Sequence, residues 1–237
     1  MNLVMITCAR EPAYLDATLD SLFASDPSIE KIHLLVHETN IECMARWLNH
    51  PKIDWRKLLP EEHDEKMSLG RRTRTAHAMR LALEGIEGEC IFLEDDASFS
   101  ENWLETFTAE LSNANLNADV RSNSVISLRT HLRWQKNGFV RWDPKSYFGT
   151  VAMFMGATAR AKIVEALRAF EALDMPAPGQ GSDVCIQRLL LRDRALHLYA
   201  RFPNLVEHTG EVSSIGSKAA LKAAGKLARY EHIGWNE

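Results

Sequence analysis

Residues Cys90 to Phe99 read Cys-Ile-Phe-Leu-Glu-Asp-Asp-Ala-Ser-Phe, an apolar run that passes directly into three consecutive acidic residues. The short apolar part predicts a buried strand. Adjacent carboxylates at the end of such a strand repel one another in a low dielectric unless solvent, hydrogen-bond donors or a cation meets them. Because magnesium and manganese prefer oxygen ligands, Glu94, Asp95 and Asp96 predict either a divalent-metal site or a solvated acidic loop.

Strands and helices are predicted to alternate along the chain on both sides of this run. Apolar runs at Leu3 to Ile6 and Ile32 to Val36 predict two further strands, separated by a helix with Leu15, Leu19, Leu22 and Phe23 on one face. Further helices are predicted from Ser68 to Leu83, from Thr158 to Phe170, from Ser182 or Asp183 to Leu191, and from Ser217 to Arg229. One more helix is predicted to follow Ser100, which would be its N-cap. Further extended segments are predicted at Val125 to Leu128, Tyr147 to Met155 and Leu196 to Ala200. This order predicts an α/β fold, a three-layer α/β/α sandwich with a mixed sheet, whose ligands lie at the carboxyl ends of the strands.

The composition is typical of a globular protein with one large core. Of 237 residues, 46% are hydrophobic and 25% are charged, and the sequence has neither a Pro/Gly/Ser-rich linker nor an internal repeat, so residues 1–237 are predicted to form one domain. The net charge of −4 gives the molecule as a whole no attraction to a polyanion. The N-terminal apolar run is too short for a signal peptide or a membrane span, which predicts a cytoplasmic protein. The four cysteines form no metal-ligand spacing and are expected to be structural.

Three segments resemble the GT-A glycosyltransferase superfamily. Ile91 to Phe99 resembles its DXD region, and Met5 to Leu15 is similar to its first strand, nucleotide loop and helix. Phe202 to Gly210, followed by Ser213-Ser214-Ile215-Gly216, resembles its C-terminal segment with a metal-binding histidine. The matches follow the order of the family and span almost the whole chain. The resemblance implies a single GT-A-like (Rossmann-like) domain, with a nucleotide-sugar-binding half at residues 1–112 and an acceptor-binding half with a closing segment at residues 113–237.

The resemblance also implies which residues form the site. Asp96 and His208 would hold Mn²⁺ or Mg²⁺, which would neutralise the charge that develops on the departing nucleoside diphosphate. The alternative for His208 is a hydrogen-bonded loop residue. Glu94 or Asp95 would meet the donor ribose, and the sequence leaves open which of them does so. The remaining donor-binding candidates are Thr7, Arg10, Glu11, Glu38, Arg71, Arg74 and Lys218; for the two helical arginines a solvated helix face is the alternative.

Asp183 is the candidate for the base of an inverting transfer, which takes the proton of the acceptor hydroxyl. It follows a Gly-Gln-Gly-Ser turn and opens a predicted helix, where the positive end of the helix dipole favours an ionised carboxylate. It also resembles the acidic residue that begins the acceptor-side helix of inverting family members, although aspartate is equally a common helix cap. The aromatic residues Trp134, Trp142 and Tyr147 predict an acceptor platform or, alternatively, part of the core.

The expected function is metal-dependent transfer of a sugar from a nucleotide-sugar donor, a UDP-sugar being expected, to an acceptor hydroxyl. A nucleotidyltransferase that makes nucleotide sugars is one alternative, although Thr7-Cys8-Ala9-Arg10 lacks the glycines expected of a phosphate loop after the first strand. A non-catalytic nucleotide-sugar-binding module is the other. The acceptor could be a glycan, a lipid-linked saccharide, a protein or a modified nucleobase; the overall acidity disfavours nucleic acid, but the basic C-terminal segment leaves it open.

Overall fold

The computed structural model describes residues 1–7, 14–37, 41–58, 71–114, 116–130, 137–147, 149–172 and 181–209. These residues form ten strands and six α-helices, with short 3₁₀ turns at Glu42–Met44 and Pro144–Ser146. The strands are β1 (Asn2–Ile6), β2 (Ile32–Val36), β3 (Ile53–Lys57), β4 (Cys90–Glu94), β5 (Ala97–Phe99), β6 (Ser124–Ser127), β7 (Gly138–Arg141), β8 (Ala152–Met155), β9 (His197–Phe202) and β10 (Val206–His208). The helices are α1 (Leu15–Ser25), α2 (Arg71–Glu84), α3 (Trp103–Asn113), α4 (Ala118–Ser122), α5 (Ala157–Glu171) and α6 (Ser182–Arg192).

Eight of the strands form one mixed sheet in the order β3-β2-β1-β4-β8-β6-β9-β7. Strands β1, β2, β3 and β4 are mutually parallel where they pair, and β6 is parallel to β9. Strand β8 runs antiparallel between β4 and β6, and β7 runs antiparallel along β9. The carboxyl ends of β1, β2, β3, β4, β6 and β9 therefore meet at one end of the sheet, where β8 begins. We call this the carboxyl end of the sheet.

The sheet is buried on both faces. Along β1, Val4 and Ile6 belong to the core on one face, whereas Leu3 and Met5 belong to the core on the other. Helices α2, α5 and α6 cover the first face, and α1 and α3 cover the second. Strands that are buried on both sides are apolar throughout, which is why the central strands were recognisable in the sequence. The predicted three-layer α/β/α sandwich with a mixed sheet is confirmed.

A second, two-stranded sheet joins the segment after β4 to the last strand of the described residues. Strand β5 pairs antiparallel with β10, so that Ala97 lies opposite His208. The N–H groups of Ala97 and Phe99 donate to the hydroxyls of Thr18 and Ser21, which lie about one turn apart on α1. The small sheet is thereby fixed to α1 as well as to the end of β4.

Most of the predicted elements are present, but the start of α3 differs from the prediction. Ser100 does not cap this helix: α3 begins at Trp103, and the Ser100 hydroxyl donates to the Leu205 carbonyl at 3.0 Å. The cap comes from Asp26, whose carboxylate accepts from the N–H groups of Leu104 and Glu105 at 2.9 and 3.0 Å. The predicted cap at Ser68 and the predicted helix at 217–229 lie outside the described residues.

Two strands of the sheet were not predicted. Strands β3 and β7 lie at its two edges and are partly exposed, and their sequences Ile-Asp-Trp-Arg-Lys and Gly-Phe-Val-Arg contain too few apolar residues to form a recognisable run. Within the described ranges, no helix has the length and apolarity needed to cross a membrane.

Candidate active site

The acidic residues after β4 form a buried turn. Glu94 is the last residue of β4, and Asp95 and Asp96 connect it to β5. Asp95 and Asp96 are almost completely buried. The Thr18 hydroxyl donates to the Asp95 carbonyl at 2.7 Å and accepts from the Ala97 N–H at 3.3 Å, so one side chain of α1 spans the turn. The geometry of the turn therefore depends on α1.

Asp96 and His208, 112 residues apart in the sequence, meet beside this turn. The distance from Asp96 Oδ2 to His208 Nε2 is 2.8 Å. The pairing of β5 with β10 brings the two side chains together, and the Thr209 N–H donates to the Asp96 carbonyl at 2.9 Å. The Asp96 side chain is 4% exposed and the His208 side chain 29%, so the carboxylate is buried and the imidazole is partly accessible.

The contact itself is a hydrogen bond or ion pair, which is the hydrogen-bonded alternative that the sequence left open for His208, and both groups are also of kinds that bind divalent metals. Two ligands at about 2.1 Å from an octahedral ion, at a right angle, lie about 3.0 Å apart, close to the distance between the Asp96 and His208 atoms. In the part of the chain that the structure describes, no group of three or more His, Cys, Asp or Glu side chains could hold a metal ion. Two protein ligands would suffice for a metal that takes its other ligands from substrate phosphates and water, as Mg²⁺ commonly does.

Glu94 is oriented by the neighbouring strand. The Thr150 hydroxyl, at the start of β8, donates to Glu94 Oε1, and the Glu94 N–H donates to the Val151 carbonyl at 2.9 Å. Because β8 enters at the carboxyl end of the sheet, this contact directs the Glu94 carboxylate towards β8 and not towards β1. Glu94 is half-buried, whereas Asp95 has no exposed surface.

Asp183 lies in the first turn of α6. Its Oδ1 accepts from the Val184 N–H at 2.9 Å, and the residue is half-buried. Burial raises the pKa of Tyr147 well above its usual value, and the negative charges of Asp183 and Glu94 raise this pKa further. The charges of the candidate base and of the acidic turn thus act on the same buried phenol.

Thr7 connects the ends of β1 and β2. It is 3% exposed, its hydroxyl accepts from the His37 N–H at 2.7 Å, and its own N–H donates to the Leu35 carbonyl at 3.1 Å. These contacts explain its burial and leave its donor-binding role a prediction. Arg71 and Arg74 belong to the first turn of α2, of which the structure describes the backbone. The remaining donor and acceptor candidates lie outside the described residues: Arg10, Glu11, Glu38, Lys218 and Trp134.

Two predicted acceptor residues belong to the core. Trp142 and Tyr147 are 8% and 3% exposed, and their rings pack edge to face with centroids 5.7 Å apart. This burial is the core alternative that the sequence left open, and it disfavours a flat aromatic platform made from these two rings. The buried cysteines are structural: burial raises the pKa of Cys90 to about 12 and that of Cys185 to about 11, so both remain thiols.

Three residues at the site were given no role in the sequence analysis. Thr18 anchors the acidic turn, and the signal for it was a polar residue in the apolar stripe of α1. Arg129 lies just beyond β6, and the rule that ligands gather at strand ends could have drawn attention to it. Thr150 orients Glu94, and no pattern in the sequence points to it.

Comparisons of structure identify the fold, whereas comparisons of sequence find no significant match to a family model or to a curated protein. The galactosyltransferase LgtC, solved with donor and acceptor sugar analogues, superposes with a TM-score of 0.51 at 14% identity over 100% of this chain and 97% of LgtC. Residues 1–349 of TarS from S. aureus give a TM-score of 0.54 at 12% identity over 89% of this chain. The match spans 61% of that fragment, less than two thirds of it.

A second structure of the TarS fragment holds UDP and superposes with a TM-score of 0.51 at 11% identity, over 84% of this chain and 60% of the fragment. Mouse xyloside xylosyltransferase 1 gives a TM-score of 0.50 at 13% identity over 84% of each chain. Together with the mixed sheet and the acidic turn at its carboxyl end, these similarities establish that the chain has the fold of the GT-A glycosyltransferases.

Proposed function

We propose that the protein is a metal-dependent glycosyltransferase that moves a sugar from a nucleotide-sugar donor to an acceptor hydroxyl. The observation that carries the proposal is the 2.8 Å contact between Asp96 and His208 at the carboxyl end of a GT-A sheet. A strand end with a buried carboxylate and a partly exposed imidazole is suited to a metal that is shared with a diphosphate. The complex of the similar TarS fragment with UDP supports a UDP-sugar as the donor.

Asp96 and His208 would be the protein ligands of Mn²⁺ or Mg²⁺. The metal, when bound, would neutralise the charge that develops on the departing nucleoside diphosphate. Asp96 is fixed for this role by the Thr209 N–H on its carbonyl and by Thr18 on the preceding residue. His208 must present a deprotonated Nε2 to the ion, which a neutral imidazole does when its proton resides on Nδ1.

Glu94 is the better candidate for the donor ribose. Its carboxylate is half-buried and held by Thr150 through Oε1, and a carboxylate offers several acceptor positions, which suits a contact with a ligand hydroxyl. Asp95 has no exposed surface, and a contact with the donor would require the buried turn to open. Thr7, Arg10, Glu11, Glu38, Arg71, Arg74 and Lys218 remain proposed donor contacts.

Asp183 would take the proton of the acceptor hydroxyl as that hydroxyl attacks the anomeric carbon, giving inversion. Its position in the first turn of α6 favours the ionised carboxylate, because the helix dipole places partial positive charge there. The negative charges of Asp183 and Glu94 both raise the pKa of the buried Tyr147 phenol.

The first experiment measures the thermal stability of the protein with UDP-, GDP-, ADP- and CMP-sugars, each with and without manganese. Ligand at about one hundred times its Kd adds about 2.7 kcal/mol to the free energy of unfolding. We expect one nucleotide sugar to raise the melting temperature only when manganese is present. A response to none of the four would contradict the donor site.

Two substitutions test the roles of the acidic residues separately. Asp96→Asn should abolish the manganese-dependent shift while the protein remains folded, and sugar transfer that survives in this variant would contradict the metal assignment. Asp183→Asn should keep the shift and lose transfer, and full transfer activity would remove Asp183 as the base. Pyrophosphate release from a nucleoside triphosphate and a sugar phosphate would instead identify a nucleotidyltransferase, and donor binding without transfer or donor hydrolysis would identify a binding module.

A further inference from the structure

Arg129 lies two residues beyond the end of β6, in a backbone that is fixed on both sides. The Leu128 N–H donates to the Ala152 carbonyl at 3.0 Å, and the Leu205 N–H donates to the Leu128 carbonyl at 3.1 Å. The Asn204 side chain accepts from the Thr130 N–H at 3.0 Å and donates to the Thr130 carbonyl at 3.1 Å. Arg129 is therefore held between the start of β8 and the segment that leads into β10.

Three carboxylates lie on the segments around this position. Strand β8 alone separates β6 from β4, so the backbones near Arg129 and Glu94 are two strand spacings, or about 10 Å, apart. The segment from Leu205 to Thr209 is bonded to Leu128 at its first residue and to Asp96 at its last. Glu207 lies between these two contacts. Burial lowers the pKa of Arg129, and the charges of Glu207, Asp96 and Glu94 oppose this effect. An arginine remains charged in such surroundings.

We propose that Arg129 is the resident cation of the acidic cluster formed by Glu94, Asp96 and Glu207, and that it sets the affinity of the site for a divalent metal ion. The inference rests on the proposed function, because that function places the metal at Asp96 and His208. Without metal, the guanidinium offsets the mutual repulsion of the three carboxylates. A divalent ion that binds Asp96 meets the like charge of Arg129 in a partly buried site, where the repulsion is weakly screened. Arg129 is thus a positioning residue that stabilises the metal-free site and weakens metal binding.

A manganese titration of melting temperature, without nucleotide, tests the effect on affinity. Arg129→Gln should lower the manganese midpoint ~10-fold, whereas Arg129→Lys, which keeps the charge, should stay within ~3-fold of the wild type. Arg121→Gln is the matched control, because Arg121 is a half-buried arginine paired with Glu89 at 2.5 Å at the opposite end of the sheet. This control should leave the midpoint unchanged. A manganese midpoint of Arg129→Gln that equals or exceeds that of Arg121→Gln would overturn the proposal.

A double-mutant cycle on the metal-free protein tests the charge pairing independently of metal. Arg129→Gln should lower the melting temperature of the wild type, and it should lower that of Asp96→Asn by less, because one of the paired charges is already absent. Additive effects would overturn the pairing. If Arg129→Gln does not fold, Arg129→Met, which also removes the charge, replaces it in the titration, and Glu207→Gln, at an exposed position, should raise the manganese midpoint. A wild type without a manganese response would contradict the metal dependence of the proposed function, while the metal-free cycle would still decide the pairing.

Discussion

Replacing Thr18 by valine should damage both the stability of the protein and its acidic turn. Thr18 is 1% exposed, and its hydroxyl makes two hydrogen bonds to the backbone of the turn, at 2.7 Å to the Asp95 carbonyl and at 3.3 Å from the Ala97 N–H. Valine keeps the shape of the side chain and removes both bonds. The substitution therefore isolates the polar contribution of one atom.

The magnitude follows from the burial of the groups involved. Removing one partner of a buried hydrogen bond costs about 1–3 kcal/mol, and the second, longer bond adds less than the first. We expect Thr18→Val to lower the free energy of unfolding by about 2–4 kcal/mol. For a chain of this length, 1 kcal/mol corresponds to about 2–4 °C, so the melting temperature should fall by roughly 4–16 °C.

The assay is thermal and urea unfolding without metal, followed by the manganese and UDP-sugar shift at a temperature where the variant is folded. Thr18→Ser is the matched control: it keeps the hydroxyl and loses one buried methyl group, at a cost of about 1 kcal/mol. Thr18→Val should also lose most of the manganese-dependent shift, because Asp96 directly follows the anchored carbonyl. A Thr18→Val protein as stable as Thr18→Ser, with an intact metal response, would refute the role of the Thr18 hydroxyl.

Two further substitutions test the frame around the site. Asp26→Ala should cost about 1–2 kcal/mol, because the carboxylate caps α3. Burial alone would raise the pKa of Asp26, but the hydrogen bonds that its carboxylate accepts outweigh burial and lower this pKa. The stability difference between Asp26→Ala and the wild type should therefore be present above about pH 4 and vanish as the pH falls through the lowered pKa. Urea unfolding at several pH values measures this difference. Gly156→Ala should lower the free energy of unfolding by about 1–3 kcal/mol, the penalty of overpacking, because its Cβ would lie 2.1 Å from the Arg121 carbonyl oxygen. Gly85→Ala is the control, because its Cβ would meet nothing within 4 Å. Equal melting temperatures of the two variants would contradict the clash.

The sheet could be predicted where its strands are buried on both faces, because each of these then appears as an uninterrupted apolar run. β1, β2 and β4 are of this kind, and their predicted and observed bounds agree within one residue. The edge strands β3 and β7 have a partly solvated surface, and nothing in their composition distinguishes them from loops. Short runs of mixed polarity acquire their strand conformation from the neighbour with which they pair.

The cap of α3 could not be predicted because it depends on tertiary structure. Ser100 precedes the helix at a suitable distance in the sequence, but Asn102 adopts a left-handed conformation with φ of 51°, and the chain enters the helix by a different path. The free N–H groups then receive the carboxylate of Asp26, 78 residues earlier. A local capping rule applies only where the residue before the helix is extended, so that its side chain can reach the N–H groups of the first turn.

The contact of Asp96 with His208 shows why resemblance and physical pattern contributed different parts of the site. An apolar run that ends in carboxylates predicts a strand end with an unbalanced negative charge, but it gives no information about a histidine 112 residues away. His208 was indicated by the resemblance. The contact itself arises because two hydroxyls of α1 hold β5 and because β5 pairs with β10. A helix that packs on the sheet therefore positions both candidate ligands of the metal, so a small displacement of α1 should change metal affinity without touching a ligand.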